Sequence, residues 1–385
     1  MARNPRSTPD ETSPLLSLLR TLAIVRLDFI QLNFRRLLAL QPQGHLIPMV
    51  KANAYGHGLV AVARALRGEE GILGFGVATL SEALALRDSK IEQPLLVFAD
   101  GPIFDDTQIA LYERNQITAV VHNLEDLKRI VTARAGFPFH VKVNTGMNRL
   151  GLEPGEFIQA LPLLKKAGMR FEGIMTHFAT AEEPSGRLAR GQSKRFRAAL
   201  STLGAAVPRW VHACSTRALY EAETLGMDDV CNVARPGIGL YGYGLPKKAG
   251  LLPALLWQAR VIRWRKLQKG DCVGYGATFR AARPQAEAVL AVGYGDGLPR
   301  ILSNKSIAGR AVLGRLSMDL TAVDGTGLKP NLWVPIIGAP GADGDELAKA
   351  AGTIIYEILT SLSQRVPRVY HRDEQGKGGV RSWER

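Results

Sequence analysis

The sequence predicts an α/β plus β protein, with an N-terminal (β/α)8 TIM-like barrel and a C-terminal mostly-β domain. Three observations carry this. Eight short, near-continuous apolar runs between residues 46 and 234 alternate with segments of helical periodicity, the pattern of a parallel sheet covered by helices. Eight units over this length suit a closed ring of strands; an open, doubly wound sheet is the alternative. From residue 251 the runs alternate apolar and polar between Gly-rich turns, which is the signature of β structure.

Taken in order, residues 1–20 are polar, carry Pro5, Pro9 and Pro14, and read as a flexible arm. Ala23-Ile24-Val25-Arg26-Leu27-Asp28 reads as a strand, followed by a helix through Leu40. The apolar runs of the barrel lie at 46–50, 73–78, 95–99, 117–121, 139–143, 171–176, 210–213 and 230–234. Helical periodicity marks 59–66, 80–86, 107–112, 124–131, 157–166, 193–203 and 217–223 between them. Beyond the barrel, 259–264 alternates, Lys269-Gly270-Asp271 is a turn, and more strand falls within 311–324. Helices at 346–351 and 353–362 and a strand near 366–370 complete the second domain. The boundaries are therefore an arm at 1–20, a barrel at 21–250, a β domain at 251–372 and a flexible tail at 373–385. The strand at 23–28 is open to either domain.

Composition narrows the function classes. With 385 residues, 46% hydrophobic and 22% charged, the chain has the make-up of an ordinary globular protein of two domains. No apolar run approaches the ~20 residues of a membrane span, and the N-terminus lacks the apolar core of a secretion signal. Cys214, Cys231 and Cys272 are odd in number and scattered, which fits a reducing cytoplasm and no zinc site. The seven histidines show no metal-ligand spacing. The net charge of +14 is dispersed and carries no nucleic-acid-binding motif, so it suits anionic small molecules rather than nucleic acid.

Reactive groups of such barrels sit at the C-terminal ends of the strands. Reading off those ends gives Lys51, Arg149, His177, Ser215 with Thr216, and Arg235 with Gly237 and Ile238. Lys51 ends a buried run, where lost hydration disfavours the ammonium and frees a nucleophilic amine. The last two loops, where barrels hold phosphate, offer Ser215, Thr216, Gly237 and Gly239, with backbone amides expected to face the anion. Gly237-Ile238-Gly239-Leu240-Tyr241-Gly242 also matches a dinucleotide fingerprint, but a turn-rich stretch follows it rather than a helix. A lysine together with a phosphate cup suggests pyridoxal 5′-phosphate bound as a Schiff base.

The motifs then resemble those of the alanine racemases, a barrel-type pyridoxal-phosphate family. Val50-Lys51-Ala52-Asn53-Ala54-Tyr55-Gly56-His57-Gly58 is similar to the cofactor-lysine signature. Asn144-Thr145-Gly146-Met147-Asn148-Arg149-Leu150-Gly151, Ala234-Arg235-Pro236-Gly237-Ile238 and Gly274-Tyr275-Gly276-Ala277-Thr278-Phe279 match in order. So do Gly293-Tyr294-Gly295-Asp296-Gly297 and Gly314-Arg315-Leu316-Ser317-Met318-Asp319.

The resemblance implies a cytoplasmic homodimer that interconverts L- and D-alanine, each site combining one subunit's barrel with the other's β domain. D-alanine would be made for wall peptide or consumed. Lys51 would hold the cofactor and act as one base; Tyr275, from the partner, would act on the opposite face. His177 would hydrogen-bond that tyrosine, and Arg149 would lie near both tyrosine and cofactor. Arg235 would face the pyridine nitrogen, while Tyr55, Tyr356, Ser215, Thr216, Gly237 and Ile238 would hold the phosphate. Met318 would meet the substrate carboxylate through its backbone, Tyr294 would line the narrow access, and Lys142 would correspond to a carbamylated lysine. No metal is implied.

Two departures stand out. Ser215-Thr216 replaces the usual Asn-Ser pair, and Gly295 replaces a common alanine. The rival functions are a racemase of serine or a broader amino-acid set, a fold-related decarboxylase, and a non-catalytic pyridoxal-phosphate carrier. The decarboxylase's cysteine motif is absent, and carriers generally lack the β domain.

Overall fold

The computed structural model describes residues 19–100, 105–133 and 136–372; the expected arm up to residue 18 and the tail from 373 lie outside the described residues. The fold divides into two compact units. One is built from Ile30–Ala54 and Leu59–Leu252; the other takes the first strand, Tyr55–Gly58 and the chain from Pro253 onward.

Elements follow the chain: β1 (Thr21–Arg26), α1 (Leu27–Leu38), α2 (Leu59–Leu66), β2 (Phe75–Val77), α3 (Leu80–Asp88), β3 (Leu95–Val97), α4 (Asp106–Arg114) and β4 (Ile117–Val121). Next come α5 (Leu124–Thr132), β5 (Phe139–Lys142), α6 (Pro154–Ala167), β6 (Phe171–Met175), α7 (Arg187–Leu203), β7 (Trp210–His212), α8 (Thr216–Tyr220) and α9 (Ala222–Leu225). In the first unit β2 to β7 form a parallel sheet in sequence order. Residues 46–50 close it. Leu46 bridges Ile72 on one side and Ala234 on the other, and Met49 bridges Gly76. The Ile47 and Met49 amides reach the Ala234 and Pro236 carbonyls, at 2.8 and 2.9 Å, and the Val50 amide reaches that of Gly76 at 2.8 Å. Val, Ile, Leu and Phe fill these strands because both faces are buried.

The last barrel strand falls later than the apolar run at 230–234. Residues 229 and 230 are turn, and pairing begins at Asn232, whose amide bonds Val211 O at 3.1 Å. The Asn232 side chain replaces backbone here, accepting from Val211 N at 2.8 Å and donating to Arg209 O at 2.7 Å. The helix expected over 217–223 is likewise broken at Glu221 into α8 and α9.

The second unit is organised on one sheet. Its strands are β8 (Leu255–Leu267), β11 (Gln285–Leu290), β14 (Thr321–Asp324), β15 (Trp333–Ile337) and β16 (Arg368–His371), together with β1. Strand β1 lies between β8, antiparallel, and β16, parallel. Trp257 on β8 is fully buried and donates its indole N–H to Thr21 Oγ1 at 2.9 Å, which locks that register. Short ribbons β9 (Cys272–Val273) with β10 (Phe279–Arg280), and β12 (Ser306–Ile307) with β13 (Arg310–Ala311), carry turns off the sheet. Two helices, α10 (Gly344–Ala351) and α11 (Ile355–Thr360), precede β16. Among the described residues no helix is long and apolar enough to cross a membrane.

Candidate active site

Lys51 stands at the end of 46–50, the segment hydrogen-bonded on both sides. The chain after it takes an unusual course. Ala52, Asn53, Ala54 and Tyr55 all have φ between 52° and 54°, a single left-handed turn. Each such residue costs an L-amino acid ~1–2 kcal/mol, so neighbouring groups must hold it. Glu82 does so from α3: its Oε1 accepts the Ala52 amide at 2.6 Å, while Oε2 accepts those of Ala78 and Thr79 at 2.8 and 3.3 Å. Asn53 Oδ1 accepts the Leu59 amide at 2.8 Å, and Ala54 N bonds Val50 O at 2.7 Å. Burial, and then the Arg149 guanidinium, push the Lys51 amine below its ordinary range; Glu82 opposes them.

Lys142, at the end of β5, is 6% exposed. Burial and the cations of Arg149, Arg235 and Lys51 bring its amine down to about 8. Arg149 itself is exposed, on a loop tied together by Asn144. The Asn144 Oδ1 accepts the Gly146 and Asn148 amides at 3.0 and 3.1 Å, and its Nδ2 donates to Asn148 Oδ1 and Glu153 Oε1 at 3.0 and 2.6 Å. Gly151 closes this loop; with φ of 119°, a Cβ there would sit 2.8 Å from Asn144 N.

Arg235 is buried, 4% exposed, and its donors fix the state of its neighbours. Its Nη1 lies 2.6 Å from His212 Nδ1 and its Nη2 donates to Thr176 O at 2.8 Å. An arginine only donates, so His212 Nδ1 must accept and its proton must sit on Nε2. That proton points to His140 Nδ1, 2.7 Å away, so His140 is protonated on Nε2. Both rings are neutral: burial first, then Arg235, brings His140 to about 3 and holds His212 well below the ordinary range. His177, whose Nδ1 is 3.4 Å from Arg235 Nη2, is also brought to about 3 by burial and by Arg235, Lys142, Arg149 and Lys51.

The glycine turn after the last barrel strand corrects one expectation. The Gly237 and Gly239 amides are not both turned to an anion; each donates to Thr216 Oγ1 at 3.1 Å. With both acceptor positions of that hydroxyl taken, Thr216 is left its proton to offer. Ile238 begins a 3₁₀ turn, Ile238–Tyr241, and the N–H at that first position has no partner within the turn. No long helix follows, which removes the dinucleotide fingerprint. Ser215 is half-buried at the start of α8.

The second unit holds the remaining candidates. Tyr55 is 7% exposed, its ring 6.0 Å from that of Tyr356; burial, then Tyr356, raises its hydroxyl far above the ordinary value. Gly56 must be glycine here, because with φ of 83° a Cβ would fall 2.1 Å from Leu359 O. Tyr275 is 70% exposed on the turn Tyr275–Ala277 between β9 and β10, with glycines of positive φ on both sides of it. Tyr294 and Met318, also exposed, sit on adjoining turns: the Tyr294 amide bonds Ser317 O at 3.1 Å and that of Gly295 bonds Met318 O at 2.8 Å.

The structure thus gathers the cations of Lys51, Lys142, Arg149 and Arg235 into one cluster in the first unit, with the neutral His177 among them. In the second it pairs Tyr55 with Tyr356 and Tyr294 with Met318. Sequence reasoning missed Glu82, His140 and His212. Thr79-x-x-Glu82 is a capping-box spacing and was readable; the two histidines carry no spacing signal. Among the described residues no group of three or more His, Cys, Asp or Glu could hold a metal ion.

Known proteins share this architecture. Residues 25–245 match the family model described as alanine racemase, N-terminal domain, and residues 254–370 match alanine racemase, C-terminal domain. The alanine racemase of Streptococcus pneumoniae is 35% identical over 370 residues, covering 91% of this chain and 98% of the relative. The solved alanine racemase from Streptomyces coelicolor A3(2) superposes with a TM-score of 0.84 at 29% identity, covering 92% of this chain and 99% of that one. The alanine racemase from Bartonella henselae, solved with covalently bound pyridoxal phosphate, gives 0.81 at 29% identity, with 92% and 100% covered. Motifs, architecture and relatives agree, and the chain belongs to the alanine racemase family.

Proposed function

We propose that this protein interconverts L- and D-alanine with pyridoxal 5′-phosphate, as a cytoplasmic homodimer. The observation that carries the reading is Lys51, a half-buried amine held at a strand end by a strained turn and pushed toward its neutral form by burial and Arg149. The residues around it fit the cofactor. Thr216 has a proton to give an anion, with the Ile238 amide beside it, and Arg235 is a preset donor suited to a ring nitrogen. When bound, pyridoxal phosphate would supply an electron sink that acidifies an amino acid's α-carbon proton.

The chain's own groups then account for inversion. Lys51 Nζ would take or return a proton at the α-carbon, and Tyr275 Oη would do the same on the opposite face. An ordinary lysine, with a pKa of ~10.4, is protonated at neutral pH, so the lowering of Lys51 by burial and Arg149 favours proton exchange there. The exposure of Tyr275 in the single chain supports its working against a second chain. His177, neutral and beside Arg235, would accept or donate one hydrogen bond to that tyrosine. Arg235, held by Thr176 and His212, would give a hydrogen bond without giving up a proton. Tyr55 and Tyr356 would serve the phosphate. Lys142 would react with carbon dioxide, and the resulting carbamate would orient Arg149. Ser215 is shorter than the usual asparagine, and Thr216 would carry more of the phosphate contact.

Borohydride reduction of the cofactor-loaded protein, followed by peptide mapping, tests the central assignment. A pyridoxyl mass on the peptide containing Lys51 supports it; modification only at other lysines overturns it.

A further inference from the structure

The β unit contains a buried carboxylate with more partners than its own turn requires. Asp296, 1% exposed, accepts the Gly293 amide at 2.8 Å within the turn. Its two oxygens also take Arg20 Nη2 at 2.7 Å and Arg365 Nε at 2.8 Å. Arg365 goes further: its Nη2 donates to Asp319 Oδ1 at 2.7 Å and to the Met318 carbonyl at 3.3 Å. Arg20 Nη2 lies 3.8 Å from Asp319, which closes the ring. Two guanidiniums and two carboxylates thus join four separate segments, those before β1 and β16 and the turns carrying Tyr294 and Met318.

Geometry makes this an arginine's task. Only a planar fork can meet Asp296, Asp319 and a carbonyl at once; a lysine ammonium is a single point on a flexible stem. Gly295 fits the same account. A Cβ there would come within 2.7 Å of Arg365 Nη2 and 3.1 Å of Met318 Cγ, so glycine in place of the commoner alanine leaves the guanidinium its room.

We propose that Arg365, seated on Asp296, is a positioning residue that fixes the Met318 backbone and Tyr294 and so sets how tightly and selectively an amino-acid substrate is held. This rests on the reading of Met318 and Tyr294 as substrate-side groups. A brace of this kind acts on ground state and transition state alike, so its loss raises KM more than it lowers kcat. Enantiomers have equal free energy, so kcat/KM must fall equally in both directions.

The test uses the cofactor-loaded wild type, Arg365→Met and Arg365→Lys. It measures kcat and KM for L-alanine, D-alanine and L-serine, with cofactor absorbance and thermal midpoint on the same samples. Arg365→Met is expected to raise KM for both alanine enantiomers roughly tenfold, as for one lost charge-assisted contact, with kcat within about twofold. The preference for alanine over serine should narrow. Arg365→Lys should stay impaired, and millimolar guanidinium should lower KM in Arg365→Met only. Unchanged KM in a folded, loaded variant overturns the proposal, as does a fall in kcat at constant KM. If Arg365→Met fails to fold, wild-type kinetics in Arg365→Lys also overturn it. A wild type that racemises nothing refutes the proposed function instead.

Discussion

Lys142 offers the sharpest quantitative prediction. Its amine, buried among Arg149, Arg235 and Lys51, titrates near 8 rather than at its ordinary 10.5. At pH 7.4 the neutral fraction is then roughly one-fifth, against about one part in a thousand for a free lysine. Only the neutral amine reacts with carbon dioxide, so the site is about two hundred times better supplied with the reactive form. The reaction replaces an ammonium by a carbamate anion beside Arg149, turning repulsion within the cluster into attraction. Protein incubated with ¹³C-bicarbonate should therefore show a carbamate resonance that grows between pH 6.5 and 8.5 and is absent from Lys142→Ala. That variant should lose activity roughly ten- to a hundredfold, the loss seen when an orienting partner is removed, and a small carboxylate such as acetate should restore part of it. No resonance at saturating bicarbonate, together with unimpaired Lys142→Ala, would refute the reasoning.

Two further outcomes follow from the same physics. Ala52, exposed at φ 52°, should gain from glycine: Ala52→Gly is expected to add roughly 0.5–1 kcal/mol and raise the melting temperature by about 1–3 °C. The same change at the exposed helical Ala85 should lower it, and equal losses at both sites would contradict the strained turn. His140, His177 and His212 are held neutral in the fold, so the unfolded chain binds more protons below pH ~6.5. Their contribution is complete above that value and is lost as pH falls toward about 3, the value to which His140 and His177 are depressed. Chemical denaturation between pH 7.5 and 5 should show stability falling, by up to about 1.4 kcal/mol per pH unit for each histidine; a flat profile would contradict buried neutral rings.

Much of this was legible in the chain because barrel strands announce themselves. Strands β2 to β7 each fell within an apolar run, since burial on both faces leaves no polar alternation to confuse. Lys51 was findable because one charged residue ended such a run. Strand β1 was harder to place: its partners lie more than two hundred residues on, at 255–259 and 368–371, and no local pattern reports a pairing of that span. The Asn232 side chain, standing in for backbone, delayed a strand that hydrophobicity alone starts earlier. His140 and His212 were invisible for another reason. Each occupies an ordinary strand position, and only the closing of the barrel sets one ring against the other and against Arg235.

The most direct measurement is the conversion of L-alanine itself. Purified protein loaded with pyridoxal phosphate is incubated with L-alanine, and the product is resolved by chiral chromatography alongside Lys51→Ala. Rapid approach to equal amounts of the two enantiomers is expected, abolished in the variant. A loaded, folded wild type that forms no D-alanine, or a Lys51→Ala variant that forms it as fast, would contradict the account.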